Sequence, residues 1–180
     1  MSDRVDRIQA EWARERPDLD VSPQGTIGRL HRVAGHLTDE LTAVYEAHGL
    51  GEGEFDVLAA LRRAGAPYER APGELARSTM VTTGAMSKRV DRLERAGLVS
   101  RRVSDGDARA RVVGLTPAGL ETIDAAFTAH MANEHRLLEG FDDDERATLT
   151  RLLTRWLGQF EDEPEGAPAP GRRRGEPQTS

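Results

Sequence analysis

The 180-residue sequence contains no cysteine. The absence of thiols excludes a disulfide framework, a cysteine-ligated zinc or iron–sulfur site and a thiol switch. Long apolar runs are missing too, because the longest, Val57–Leu61, is far too short to cross a membrane. The charged N-terminus has no apolar stretch behind it and does not resemble a signal peptide. We therefore expect a soluble, cytoplasmic protein that has no membrane partner and needs no cofactor.

Positive charge is outnumbered by negative charge in the chain as a whole but is concentrated in one segment. The chain has 25 Lys and Arg against 31 Asp and Glu, a net charge of −6, which argues against a nucleic-acid partner. Residues 82–115, however, carry eight basic and four acidic side chains, whereas residues 1–72 and 116–163 have net charges of −4 and −7. A solvated charged surface explains this pattern equally well. The structure that the basic segment adopts must therefore distinguish a nucleic-acid-binding surface from a solvated charged surface.

Apolar periodicity predicts three helices in the first third of the chain, at about residues 3–15, at about 24–48 and from Phe55 to near Gly65. The second is a long amphipathic helix, whose apolar residues recur every three or four positions. We expect Ala66–Pro72 to form a loop and Glu74–Ser78 to form one or two helical turns.

The basic segment begins with a helix at about residues 82–96, with Thr82 as its N-cap and Gly97 just past its end. Its narrow apolar stripe consists of Met86, Val90 and Leu93. Two stretches rich in β-forming residues follow, at 98–103 and 111–115, with a turn at 104–107 between them. The order of short helix, turn, helix and hairpin predicts a winged helix-turn-helix, a fold that is mainly α with a small β-hairpin wing.

The last third of the chain is predicted to be helical up to residue 161. Thr116 and Pro117 are typical of a helix start. Asp142 and Glu145 have the spacing of a capping box before a last helix at about 143–161. From there on Pro, Gly, Glu and Arg dominate, so we expect residues 162–180 to be disordered.

The second helix of the predicted motif has an outer face suited to DNA. A recognition helix inserts its N-terminal half into the major groove, where hydroxyl and ammonium groups reach base edges or phosphates. In the wing, an Asp two residues before an Arg can hold the guanidinium extended for a narrow minor groove. An exposed arginine without a DNA contact is the simpler alternative there. The candidate DNA-binding residues are Thr82, Thr83, Ser87, Lys88, Arg92 and Arg109.

Several motifs resemble the MarR family of winged-helix transcriptional regulators, from about Ile27 to Phe160. They are Asp56-Val-Leu, Glu74-Leu-Ala, Arg92-Leu-Glu-Arg-Ala-Gly-Leu-Val99, Asp107-Ala-Arg109 and Leu115-Thr-Pro-Ala-Gly119. The resemblance implies a homodimer that binds a pseudo-palindromic double-stranded DNA operator and is released by a small ligand. We expect a repressor.

The resemblance also implies a domain organisation. An N-terminal extension (1–23) would precede a dimerisation helix (24–48) and the winged helix-turn-helix DNA-binding domain (50–115). C-terminal dimerisation helices (116–161) and the tail (162–180) would follow.

The leading helix, with Glu11-Trp-Ala-Arg14, resembles the urate-responsive branch of this family. That branch implies an effector pocket made of Trp12, Asp56, Arg89 and Arg101, which would take a small anionic effector such as urate or a related purine. Because Arg89 belongs to the recognition helix, ligand binding would be linked directly to DNA affinity.

The residues of this pocket suit such a ligand on chemical grounds. Arg89 borders the apolar stripe of its helix, where an arginine needs a partner, and a guanidinium can hold a planar anion through two hydrogen bonds. The Trp12 indole can stack on the ligand or donate a hydrogen bond to it, and Asp56 would repel an anion or accept a ring N–H. A static Asp56–Arg89 salt bridge beside a packing tryptophan is the alternative.

Three further functions remain open. One is a regulator of the same family that senses a phenolic or other carboxylate ligand. Another is a winged helix that binds protein, which would need an apolar outer face on helix 82–96 instead of the Lys- and Arg-rich one present. The third is an enzyme. The histidine pairs His31/His36 and His130/His135 are five residues apart and share no helix face for a metal. No catalytic motif is present either, so we expect neither catalytic nor metal-binding residues.

Overall fold

The computed structural model describes residues 2–104 and 107–161, apart from the side chains of residue 104 and residues 107–110. The tail at 162–180 and the centre of the predicted turn at 104–107 lie outside the described residues. Within these ranges the elements are α1 (Arg4–Glu15), α2 (Gln24–Ala47), α3 (Glu52–Arg63), β1 (Glu69–Arg70), α4 (Pro72–Ser78), α5 (Thr83–Arg95), β2 (Val99–Ser104), β3 (Asp107–Leu115), α6 (Pro117–Leu137) and α7 (Asp143–Glu161).

The extra helix α1 is attached to the beginning of α2 by an ion-pair cluster. The carboxylate of Asp3 caps α1, accepting the backbone N–H groups of Val5 at 2.7 Å and Asp6 at 3.0 Å. From α2, Arg29 reaches back with Nε 2.8 Å from Asp3 and Nη2 2.5 Å from Asp6. Val5 is buried next to Gly28, and a Cβ added at this glycine would lie 3.4 Å from a methyl group of Val5, in ordinary van der Waals contact. The predicted helices at 3–15 and 24–48 are confirmed.

The core is centred on α3, α4 and α5. The predicted apolar positions of α3 and α5 are buried: Phe55, Leu58, Leu61, Met86, Val90 and Leu93. Leu75 of α4 is fully buried between them, and Ile123 and Ala126 bring α6 into the same cluster. The short helix, turn and helix therefore form a helix-turn-helix with a common hydrophobic interior, as predicted.

The wing is part of a three-stranded antiparallel sheet of order β1-β3-β2. The expected β2–β3 hairpin is confirmed, but the prediction of a loop over Ala66–Pro72 is wrong. In β1, Glu69 pairs with Gly114 and Arg70 with Val113. A strand of two residues is too short to give an alternating pattern, and its pairing depends on a partner distant in sequence. Helix α4 also begins earlier than expected, with Pro72 at its first turn.

The start of α6 is fastened to the end of α5 and the start of the wing. The hydroxyl of Thr116 accepts the N–H of Gly119 at 3.0 Å, as predicted for a cap, and donates to the carbonyl of Gly97 at 2.7 Å. Gly97 follows α5 with a positive φ of 73°, the conformation predicted for a glycine at this place. A Cβ on Gly119 would lie 1.9 Å from the carbonyl oxygen of Leu98. Only glycine therefore allows this close approach.

Helix α7 belongs to a second compact unit, which comprises the described residues from Leu137 onward. Its predicted capping box is confirmed: Asp142 accepts the N–H of Glu145 at 2.8 Å, and Glu145 accepts that of Asp142 at 3.0 Å. None of its residues is buried. Its exposed apolar side chains are Leu149, Leu152, Leu153, Leu157 and Phe160. Among the described helices, none combines the length and hydropathy that crossing a membrane requires.

Candidate DNA-binding and effector-binding sites

The N-terminal half of α5 presents a polar, accessible face. Thr82 caps the helix, its hydroxyl oxygen accepting the N–H of Ala85 at 3.3 Å. Thr83, Ser87 and Lys88 are all exposed. Among the residues that the structure describes, no acidic group lies within ion-pair distance of Lys88. This face offers hydroxyls and a free ammonium group at the helix end that a major groove admits.

Arg92 lies on the same helix but is already paired. Its Nε lies 2.6 Å from Oε1 of Glu54, in the first turn of α3. The side chain of Arg92 is 58% exposed, whereas that of Glu54 is only 16% exposed. The other oxygen of Glu54 accepts the N–H of Gly51 at 2.8 Å and so caps α3. A phosphate that binds Arg92 must therefore compete with a carboxylate.

Arginines at the base of the wing are also paired. Arg102 makes a two-bond contact with Glu69 of β1, at 2.8 and 2.6 Å. The Arg101 guanidinium contacts both Asp91, at 2.5 Å, and Glu94 of α5. Arg109 lies within β3, but its side chain is outside the described residues, so its predicted minor-groove contact stays a prediction.

Asp56 and Arg89 are brought together between α3 and α5. The distance from Nη1 of Arg89 to the nearer Asp56 oxygen is 3.8 Å, which is an ion pair but too long for a hydrogen bond. Nη1 of Arg89 is buried and has no hydrogen-bond partner in the described chain. The guanidinium lies against the backbone of Gly53, where an added Cβ would be 2.3 Å from its Nε and Cζ. A partly exposed guanidinium with one buried nitrogen that lacks a hydrogen bond is a suitable place for an anion.

The environment of the Asp56 carboxyl raises its pKa, although the side chain is about half exposed. Burial raises the pKa of Asp56, and the positive charge of Arg89 opposes this change only in part. Glu52 raises the pKa further, whereas Arg63 lowers it. A carboxyl in such surroundings accepts a proton more readily when an anion arrives beside it.

Two other predicted pocket residues lie apart from this pair. Trp12 is 46% exposed on α1, which packs along α2. Within the described residues it makes no hydrogen bond or ring contact with Asp56 or Arg89. Arg101 is directed to the carboxylates of α5 instead. In this single chain, the four predicted effector residues therefore form one close pair and two separate side chains.

A cleft of about 320 Å³ adjoins the pair on the Asp56 side. Its aromatic wall is a stack in which Tyr45 and Phe55 have ring centroids 4.1 Å apart and Phe127 and His130 have centroids 5.7 Å apart. The Tyr45 hydroxyl lies 3.3 Å from Nδ1 of His130, and burial raises the pKa of Tyr45 to about 12. This cleft could take a flat ring. No group of acidic and histidine side chains suited to a metal occurs among the described residues.

Sequence relatives connect this geometry to known regulators. A profile of the MarR family matches residues 48–110, which comprise α3 to the first part of β3. The HTH-type transcriptional regulator PecS of Dickeya dadantii (strain 3937) is 38% identical over 151 residues, covering 84% of this chain and 91% of PecS. The chain belongs to the MarR family. Members of this family are transcriptional regulators, so the expectation that the chain is not an enzyme is confirmed.

Solved MarR-family structures have the same fold. A mutant of MarR from E. coli, complexed with operator DNA, matches with a TM-score of 0.65 at 27% identity, over 77% of this chain and 99% of that one. AbsC, a MarR family regulator from Streptomyces coelicolor, matches with a TM-score of 0.69 at 23% identity, over 79% and 97%. Both comparisons support a winged helix of the MarR type. They also fit the three-stranded sheet that the periodicity alone did not predict.

Sequence reasoning missed two residues of this MarR-family site. Glu54 was not singled out, although a glutamate three residues after Gly51 fits a capping box and could have drawn attention to it. Gly53 gives no sequence signal, because its importance depends on the guanidinium that packs against it. Both residues belong to the first turn of α3, which holds the two arginines of α5 in place.

Proposed function

We propose that the protein is a ligand-responsive repressor that binds a pseudo-palindromic operator as a homodimer. The DNA part depends on the exposed face of α5. This face presents the hydroxyls of Thr82, Thr83 and Ser87 together with Lys88, which has no ion-pair partner among the described residues. The related MarR structure with operator DNA supports this use of the fold. Such a protein works where the bacterial chromosome lies, in the cytoplasm.

Exposed apolar surface supports the homodimer. Helix α7 buries none of its residues, and α2 exposes Ile27, Val33 and Leu37 in a single chain. Apolar stripes of this extent are typical of interfaces. A two-fold symmetric dimer presents two copies of α5, which explains why the operator would be a pseudo-palindrome.

The effector part of the proposal depends on Arg89. Its buried Nη1 lacks a hydrogen-bond partner in the described chain, and its charge is only loosely balanced by Asp56. A planar anion such as urate or a related purine satisfies this group through two hydrogen bonds. Since Arg89 belongs to α5, an anion that pulls on it changes the position of the DNA-binding face and releases the operator.

DNA binding is tested first, with duplexes selected from a random library. We expect the selection to give an inverted repeat, and the affinity for it to fall steeply with added salt because phosphate contacts release counterions. If no duplex is selected, and if binding to the unselected library depends only weakly on salt, a protein-binding winged helix is favoured instead.

The effector is then tested by titrating the complex with urate, xanthine and salicylate. We expect urate or xanthine to release wild-type protein at up to about millimolar concentration, which corresponds to a binding free energy of about −4 kcal/mol or stronger. The variant Arg89→Gln keeps DNA binding but loses the response, whereas Arg95→Gln, at the C-terminal end of α5, keeps the response. Release by salicylate alone favours the phenolic or carboxylate alternative, for which the aromatic cleft beside Asp56 and Arg63 offers a site.

A further inference from the structure

The first turn of α3 and the recognition helix share a single carboxylate. One oxygen of Glu54 accepts the N–H of Gly51 at 2.8 Å, and the other lies 2.6 Å from Nε of Arg92. The cap fixes the Glu54 side chain, which is only 16% exposed. Glu54 is therefore already positioned for Arg92 and loses little conformational freedom when it binds.

The position of Arg92 makes this pair relevant to DNA. Arg92 lies on the outer face of α5, one turn beyond Lys88, and its side chain is 58% exposed. A guanidinium at this place can serve a phosphate, but its Nε is occupied by a carboxylate of the same chain. Glu52, in the same turn of α3, is exposed and has no ion-pair partner among the described residues. The two glutamates thus carry the same charge, but only Glu54 forms an ion pair with an arginine of α5.

We propose that Glu54 competes with a DNA phosphate for Arg92 and thereby sets the strength of operator binding. This inference rests on the proposed DNA-binding function. When the protein binds its operator, Arg92 exchanges the carboxylate for a phosphate, and the repulsion between Glu54 and the DNA backbone adds to the cost. Glu54 in this way lowers the affinity for DNA from outside the DNA contact surface.

The test compares Glu54→Gln with Glu52→Gln by fluorescence anisotropy, using the selected duplex at several salt concentrations. A glutamine keeps the cap, because its amide oxygen accepts the Gly51 N–H, and thermal unfolding followed by circular dichroism checks that both variants fold. Both variants remove one negative charge from the same helical turn. We expect Glu54→Gln to bind about two- to fivefold more tightly than Glu52→Gln, as is typical of a partly exposed charge pair. Because Arg92 contacts a phosphate in the DNA complex of both variants, the slope of log affinity against log salt concentration should be similar in the two.

A second pair of variants shows whether the effect passes through Arg92. In an Arg92→Gln background, Glu54→Gln should bind no more tightly than Glu52→Gln, because no guanidinium remains to be released. Equal affinity of the two glutamate variants in the wild-type background overturns the proposal, as does weaker binding by Glu54→Gln, which means that Glu54 positions Arg92 for DNA. If wild-type protein selects no duplex, the DNA-binding function itself fails, and this inference with it.

Discussion

Arg89 lies directly on the backbone of Gly53. A Cβ at this glycine would be 2.3 Å from both Nε and Cζ of the guanidinium and 2.7 Å from Nη2. The missing side chain therefore makes room for the charged group that the effector is proposed to bind. The position of Arg89 depends on a residue of another helix.

Replacing Gly53 by alanine should displace Arg89 without unfolding the protein. The clash falls on the end of a flexible side chain, while alanine raises the helix propensity of α3 by up to about 1 kcal/mol. We expect Gly53→Ala to bind the selected duplex within a few-fold of wild type but to need at least about tenfold more urate for release. Gly35→Ala, at a helical glycine with nothing within 4 Å of the added carbon, is the control. An unchanged urate response in Gly53→Ala means that Arg89 does not hold the effector.

Replacing Gly119 by alanine should be far more damaging to stability. Here the added Cβ meets the backbone carbonyl of Leu98 at 1.9 Å, and a backbone group cannot rotate away. We expect the free energy of unfolding in urea to fall by about 1–3 kcal/mol or more, as is typical of overpacking. The same change at Gly35 should be neutral or stabilising. A Gly119→Ala protein as stable as wild type would show that the start of α6 is free to move away from Leu98.

The attachment of α1 should weaken in acid. Hydrogen bonds from the backbone N–H groups and from Arg29 lower the pKa values of Asp3 and Asp6 below the ordinary value. A lowered pKa means that the stabilisation is complete above the ordinary value of about 3.9 and is lost as the pH falls through the lowered one. Fluorescence of Trp12 in a Trp156→Phe variant should report the release of α1 below about pH 4.

Arg29→Gln provides the control for this titration. Without the guanidinium, α1 should be looser already at neutral pH, and the acid transition should be smaller. A fluorescence titration identical in the two proteins means that the ion pairs do not hold α1 in place.

The apolar face of α7 should be needed for dimerisation. Leu152 is 41% exposed in the single chain, in a helix that buries none of its residues. A glutamate in a subunit interface would be desolvated without a partner, so we expect Leu152→Glu to shift the protein toward monomer in sedimentation equilibrium. Arg151→Glu, on the side of the helix opposite its apolar face, should leave the oligomeric state unchanged. If Leu152→Glu sediments as an assembly of the same mass as wild type, the apolar face of α7 is not covered by a second copy of the chain.

Local signals sufficed for most of the fold. Helix α2 follows from its periodicity, and α5 follows from its stripe together with Thr82 and Gly97. The strand β1 could not be predicted, because Glu69 and Arg70 become a strand only when the fold brings Gly114 and Val113 beside them. Short-range patterns contain no information about such pairing.

The candidate site was less accessible from sequence. The closeness of Asp56 and Arg89 followed from the family resemblance and not from spacing. The bond between Glu54 and Arg92 joins residues 38 positions apart and had no sequence signal. By contrast, the i, i+3 spacing of Asp91 and Glu94 predicts that both carboxylates lie on one face of α5, although their pairing with Arg101 of β2 depends on the fold.

The junction made by Thr116, Gly119 and Leu98 has a mechanical consequence. Because the end of α5, the start of the wing and the first turn of α6 are in contact at one point, we expect them to move together. With 21 residues, α6 is a lever about 30 Å long at the rise of an α-helix. If contacts at the far end of α6 tilt this helix by a few degrees, we expect the direction of α5 to change as well.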